Sequence, residues 1–145
     1  MKTLPPEIQQ IQDRLDIQDV INRLGICLDE KRIDDLGEIF CDDVKGALAS
    51  GDPFSSLAGI QEYARKQLLP WARLQHVITN ILIDLAGDAA SVRANLITMN
   101  VADPSIPDRH FSFNGFYKFA LRRDGARWKI SDIRLLEVWA GGELP

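Results

Sequence analysis

The feature that most restricts what this chain can fold into is a change of hydrophobic period at Leu74. Before that point apolar residues return every three or four positions, the period of a helix with one buried face. In "PPEIQQIQDRLDIQDVINRLGICLDEKR" the stripe is Ile8, Ile11, Leu15, Val20, Ile21, Leu24 and Leu28. Pro5 and Pro6 suit a helix entrance, where a missing N–H costs nothing. A short helix, "IDDLGEIF", follows with Ile33, Leu36 and Phe40 on one face, then a short strand from Val44 to Leu48. In "SSLAGIQEYARKQLLPWA" Ser55 or Ser56 caps a third helix, Leu57, Ile60, Ala64 and Leu68 form its buried side, and Pro70 ends it.

After Leu74 the pattern alternates, as in strands with one buried face. "HVITNILIDLAGD" runs to a Gly87-Asp88 turn, and "AASVRANLITMNVADP" follows with Val92, Ala94, Leu96 and Thr98 on one side. "RHFSFNGFYKFALRRDG" and "ARWKISDIRLLEVWAGG" are two more long strands, the last ending in a glycine-rich tail expected to fray. Helices first and then long strands joined by tight turns define an α+β fold, with helices packed on one face of a mainly antiparallel sheet. Strands this long twist strongly, and glycines such as Gly115 permit bulges that curl them. A curled sheet closed by helices is a cone, whose interior is the natural ligand pocket.

Composition narrows the function. The chain has 145 residues, a length that fits one domain. A formal charge of −4 with scattered Lys and Arg argues against nucleic acid as a partner. No apolar run approaches the roughly 20 residues needed to span a bilayer, and "MKTLPPEIQQIQDRLD" lacks the apolar segment of a secretory signal. A reduced, cytoplasmic protein is therefore expected. Cys27 and Cys41 fall at no metal-ligand spacing and read as small buried hydrophobes. With no metal cluster and no nucleotide loop, the expected chemistry needs no cofactor.

Two polar residues stand where such a cone would be lined. Asp29 closes the first helix beside Asn22, Gly25 and Ile26, and His76 opens the first long strand. Segments "IQDVINRLGICLDEKRIDDLGEIFCDDV", "LPWARLQHVITNILIDL" and "RRDGARWKISDIRL" resemble the SnoaL-like branch of the nuclear-transport-factor-2-like superfamily, over roughly Ile8 to Trp139. Within them "LDEKR…DDLGEIFCDDV" and "HVITN" are similar to the segments that hold an Asp–His dyad in scytalone dehydratase and hexachlorocyclohexane dehydrochlorinase. The resemblance implies a cystatin-like cone, His76 as general base and Asp29 as its orienting carboxylate. An imidazole can take a proton from a carbon acidified by a neighbouring carbonyl or halide. A carboxylate on its other nitrogen fixes the tautomer and stabilises the imidazolium that forms.

The chain departs from that pattern as well. First-helix positions that hold tyrosines in scytalone dehydratase-like sites are Leu24, Ile26 and Cys27, and the slot of a second histidine falls near Asn100. Tyr63 and Tyr117 lie on other elements. Arg134 is the candidate for the sheet arginine of the dehydrochlorinase. Asp132 and Arg134 are expected on the strand face of Trp128 and Ile130, as a substrate clamp or as an ion pair. Trp71 and Ile26 are expected to line the pocket, and His110 to stand at its mouth or on the exposed rim. Asp42-Asp43 reads as a helix-exit turn.

The expected activity is a dehydratase-like lyase or isomerase acting on a small, largely apolar cyclic molecule. The alternatives are a non-catalytic small-molecule binder, or an accessory small subunit of a ring-hydroxylating dioxygenase-like complex. By resemblance, self-association as a dimer or trimer through the convex face is expected.

Overall fold

The computed structural model describes residues 3–49 and 51–145. Helix α1 (Pro6–Asp29) is followed by a 3-10 helix (Ile33–Glu38), β1 (Phe40–Ala47) and α2 (Leu57–Leu68). Then come four long strands, β2 (Arg73–Ala86), β3 (Ala89–Val101), β4 (His110–Asp124) and β5 (Arg127–Gly142). Pro6 occupies the first turn of α1, and Ser56 caps α2 by accepting from the Gly59 N–H at 3.0 Å. The five strands form one mixed sheet in the order β1-β5-β4-β3-β2, antiparallel except for the β1–β5 pair. Such a parallel edge needs a crossover, and α2 with the three long hairpin strands supplies it.

The core lies between α1 and the concave face. Ile17, Ile21 and Leu24 pack with Val92, Ala94 and Leu96 of β3, Phe119 and Leu121 of β4, and Ile130 and Ile133 of β5. Burying a side chain of this size stabilises the fold by about 1.5–3 kcal/mol. The expected stripe on α1 fails in its first half, where Ile8, Ile11 and Leu15 are exposed. The face turned inward there carries Asp13 and Ile17, because Asp13 receives hydrogen bonds from Arg123 and Trp128 of the sheet.

Other expectations are also corrected. Phe40 begins β1 instead of ending a helix, and Asp42 and Asp43 lie in that strand, Asp43 paired with Arg122 at 2.6 Å. Gly141 and Gly142 are not frayed; they pair with Ser112 and Phe111.

Bulges decide which side chains enter the cone. In β2 the register shifts between Thr79 and Leu82, with Asn80 at φ 54°. Leu74, His76 and Ile78 face inward before the shift, and Ile81, Ile83 and Leu85 after it. In β5 the pairs Leu121–Ile130 and Ala120–Asp132 leave Ser131 as an extra residue, so Ile133 and not Asp132 follows Ile130 into the core. A third shift separates Gly115–Glu137 from Asn114–Trp139. A Cβ on residue 115 would lie 1.9 Å from the Leu136 carbonyl oxygen, so only glycine permits this approach.

Candidate functional site

The last turn of α1 sets the site. Lys31 N–H donates to the Leu28 carbonyl and Arg32 N–H to the Cys27 carbonyl, a helix stop with Lys31 left-handed at φ 55°. That conformation costs a non-glycine residue about 1–2 kcal/mol. The Lys31 ammonium then donates to the Trp71 carbonyl at 2.5 Å and ties the helix end to the entrance of β2. Asp29, the final helical residue, thereby faces His76.

One carboxylate oxygen serves both donors of that residue. The His76 backbone N–H and ring Nδ1 each lie 2.7 Å from Asp29 Oδ1. Because a carboxylate only accepts, Nδ1 carries a proton, and in the neutral imidazole Nε2 then presents its lone pair. The His76 side chain is 8% exposed and Asp29's 25%, so the pair is sheltered but reachable. No buried side-chain nitrogen or oxygen among the described residues lacks a partner, and Nε2 has none. It must therefore open onto free space.

That space is a cavity of about 500 Å³ inside the wide end of the cone. Leu24 and Leu28 line it from α1, Trp71 and Phe111 stack across it at 6.3 Å, and Phe113, Leu135 and Leu68 add apolar wall. Polar groups are few: His76, Thr98, Asn100, Tyr63, Gln67, Tyr117 and Glu137. The amide of Asn100 has no protein partner among the described residues.

The sequence reading missed the tyrosines as site residues. Tyr63 on α2 and Tyr117 on β4 both line the cavity with His76, although neither comes from the first helix. Tyr117 is 4% exposed, and its hydroxyl has no protein partner among the described residues, so by the same reasoning it opens onto the cavity. Burial pushes its phenol well above the ordinary value, and the nearby Tyr63 and Asp29 push it further. It remains a protonated donor. The inward parity of Tyr117 with Phe113 was readable along the strand; the arrival of α2 over the same opening was not.

The wall between β3 and β4 also departs from a regular ladder. Around Thr98 side chains replace backbone bonds: Thr98 N–H donates to Asn114 Oδ1, Ser112 Oγ to the Thr98 carbonyl, and Thr98 Oγ1 to the Phe113 carbonyl. The inserted groups spread the strands where Thr98 and Phe113 line the cavity. No sequence spacing signals this.

Three expected pocket residues lie elsewhere. Arg134 is on the convex face, 65% exposed beside Asp132, because the extra Ser131 flips the parity of β5. Ile26 is turned about 200° from Leu24 and Leu28 at 100° per residue. It lines an open groove of about 880 Å³ between α1 and the β4–β5 turn. Charges in that groove are paired, as in Arg23–Asp19, Arg32–Asp35 and Arg127–Glu38. His110 precedes the inward Phe111 and therefore faces the other way, its Nδ1 against the Pro107 carbonyl at 3.0 Å. Trp71 and Asn100 are in the cavity wall. Cys27 and Cys41 are free and buried, and burial raises both thiols. Among the described residues no group of His, Cys, Asp or Glu could hold a metal ion. No helix among them is long and apolar enough to cross a membrane.

The sequence profile of the SnoaL-like domain matches residues 9–134. The chain belongs to the SnoaL-like domain family. Comparison with curated proteins returns no match. Among solved structures, a type 2 hexachlorocyclohexane dehydrochlorinase, LinA, is 16% identical, with 95% of this chain and 93% of that one covered at a TM-score of 0.83. A protein of Novosphingobium aromaticivorans proposed to be a scytalone dehydratase is 15% identical, covering 94% and 91% at 0.82. Another from that organism, proposed to be an aromatic ring hydroxylase, is 27% identical, covering 97% and 96% at 0.78. The SnoaL-like cone is thus shared with proteins of different chemistry, and fold alone assigns no reaction.

Proposed function

We propose that this SnoaL-like protein is a cofactor-free lyase or isomerase for a small, neutral, largely apolar cyclic molecule. The observation that carries the reading is the Asp29–His76 pair at 2.7 Å on the cavity wall. His76 Nε2 takes a proton from a carbon next to a carbonyl, and Asp29 stabilises the imidazolium. The electron pair of that C–H bond forms a new double bond as a β-hydroxyl leaves. The departing oxygen takes up the proton that His76 accepted, so water is the product and the neutral imidazole is restored. In an isomerisation the imidazolium returns the proton to another carbon instead. Tyr117, Tyr63 and Asn100 are among the groups within the cavity able to hydrogen-bond the substrate oxygens, in place of the first-helix tyrosines that this chain lacks.

Loss of water is favoured over loss of chloride, despite the likeness to the dehydrochlorinase. Among the described residues the cavity wall has no Lys or Arg to receive a halide, and Arg134 lies on the convex face. The exposed apolar side chains of that face, Val77 opposite Ile97 with Met99, Leu136 and Val138, support self-association through it.

The test is hydrogen–deuterium exchange and dehydration of a set of cyclic β-hydroxyketones followed by NMR. Wild-type protein is expected to exchange the α-proton, and His76→Ala and Asp29→Asn to lose exchange. Tight binding of these ketones with no exchange would leave a binding module; unchanged rates in His76→Ala would remove the mechanism.

A further inference from the structure

The charge at the rim of the cone bears on which molecules it admits. Of the described residues lining the cavity only Glu137 carries a formal charge at neutral pH, and none is Lys or Arg. Its side chain makes no ion pair or hydrogen bond among the described residues. Its position explains this: across the ladder it faces Gly115, which has no side chain to offer. The inward positions before and after it hold Leu135 and Ala140. The β4–β5 bulge that requires Gly115 thus also leaves Glu137 without a cross-strand side chain. Glu137 is exposed at the rim and pairs with no cation among the described residues, and Asp29 behind His76 adds a second negative group on the far wall.

Glu137 and His76 lie on opposite walls. Pairing along the sheet runs Ile78–Leu96–Gly115–Glu137, one row from His76–Thr98. Three strand spacings of about 4.8 Å place β5 about 14 Å from β2 around the sheet, and the path across the curl is shorter. A molecule of one or two fused rings with a reacting carbon at His76 would bring its remote end to Glu137.

We propose that Glu137 is a specificity-determining residue. It selects ligands with a hydroxyl or ammonium donor at the end remote from His76, and the cavity rejects anions. The inference rests on the reading that this cavity is the ligand site, and not on turnover by the dyad.

Three probes share one frame and differ in the remote group: 2-naphthol, 2-naphthylmethylamine and 2-naphthoate. Calorimetric titration of the full chain at pH 7 is expected to rank the amine and the naphthol about tenfold or more above the naphthoate, the scale of a hydrogen bond to a charged group. In Glu137→Gln the amine-to-naphthoate ratio falls about tenfold. In Glu143→Gln, an exposed acid paired with Arg109, it stays as in wild type. Proton exchange is read separately on wild type, which separates this inference from the catalytic one: a protein that shows the Glu137-dependent ratio but no exchange chemistry leaves Glu137's role standing. A wild-type protein that takes naphthoate as tightly as the amine, a ratio unmoved in Glu137→Gln, or no binding of any probe overturns it.

Discussion

Helix α1 sends an aspartate to the sheet at each end of the cone, and the two do opposite things. At the narrow end Asp13 is 4% exposed and its Oδ1 accepts three hydrogen bonds, from Arg123 at 2.6 Å, Gln9 at 3.0 Å and Trp128 Nε1 at 3.2 Å. Arg123 also lies over the Trp128 ring and reaches Asp88. Arg123, Gln9 and Trp128 each spend a donor on that oxygen, and Asp13 lines neither the cavity nor the groove. At the wide end Asp29 spends one oxygen on His76, whose second nitrogen is left facing about 500 Å³ of open cavity. The same residue type on the same helix closes one end and arms the other. An ion pair becomes a candidate for chemistry when its partner keeps an unspent group over free space.

If this contrast is sound, substitutions at the two ends separate activity from stability. The largest effect is expected at His76: His76→Ala lowers proton exchange by about 10² to 10⁴, the range of a positioned base. Asp29 keeps the residue 76 backbone N–H in that variant. Urea unfolding should therefore stay within about 2 kcal/mol of wild type. Tyr117→Phe removes a donor without leaving a protein group unpaired, and is expected to lower turnover by about 10² as loss of an oxyanion donor does. A large loss of stability there would mean that the hydroxyl is structural.

Asp13→Ala should do the reverse, destabilising by about 2–3 kcal/mol, the scale of hydrogen bonds between charged groups, with turnover per folded molecule retained. This effect has a signed pH dependence. Burial pushes the Asp13 carboxyl up, but hydrogen bonds from Arg123, Gln9 and Trp128 and the Arg123 charge outweigh it and hold the group below its ordinary 3.8. Stability from a depressed carboxylate is fully present above the unfolded value and lost as pH falls through the lower folded one. The difference in urea midpoint between wild type and Asp13→Asn should accordingly be full at pH 7 and shrink below pH 3.8.

The smallest effect is expected at Arg134. Arg134→Ala should leave turnover unchanged and shift stability by no more than about 0.5 kcal/mol, as for an exposed side chain. A large loss of activity would place Arg134 in the chemistry and erase the contrast between the cone's interior and its convex face.

What the sequence determined by itself was whatever short-range chemistry imposes. The change of period at Leu74 carried the division into helices and strands, Ser56 and Pro6 their starts, and the alternation of Val92, Ala94, Leu96 and Thr98 the inner face of β3. Asp29 and His76 were the residue types a dyad needs, on elements a cone brings face to face. Tertiary structure decided the rest. Alternation holds only until a bulge adds a residue, and then every later side chain changes face, which is how Ser131 sent Arg134 outward. Contacts between distant segments are equally invisible to local pattern: Asp13 overrode the apolar stripe of α1 by bonding Arg123, and α2 carried Tyr63 over the cavity that Tyr117 reaches from β4. Local sequence fixes period and turn, while facing and company depend on register, which only the assembled sheet selects.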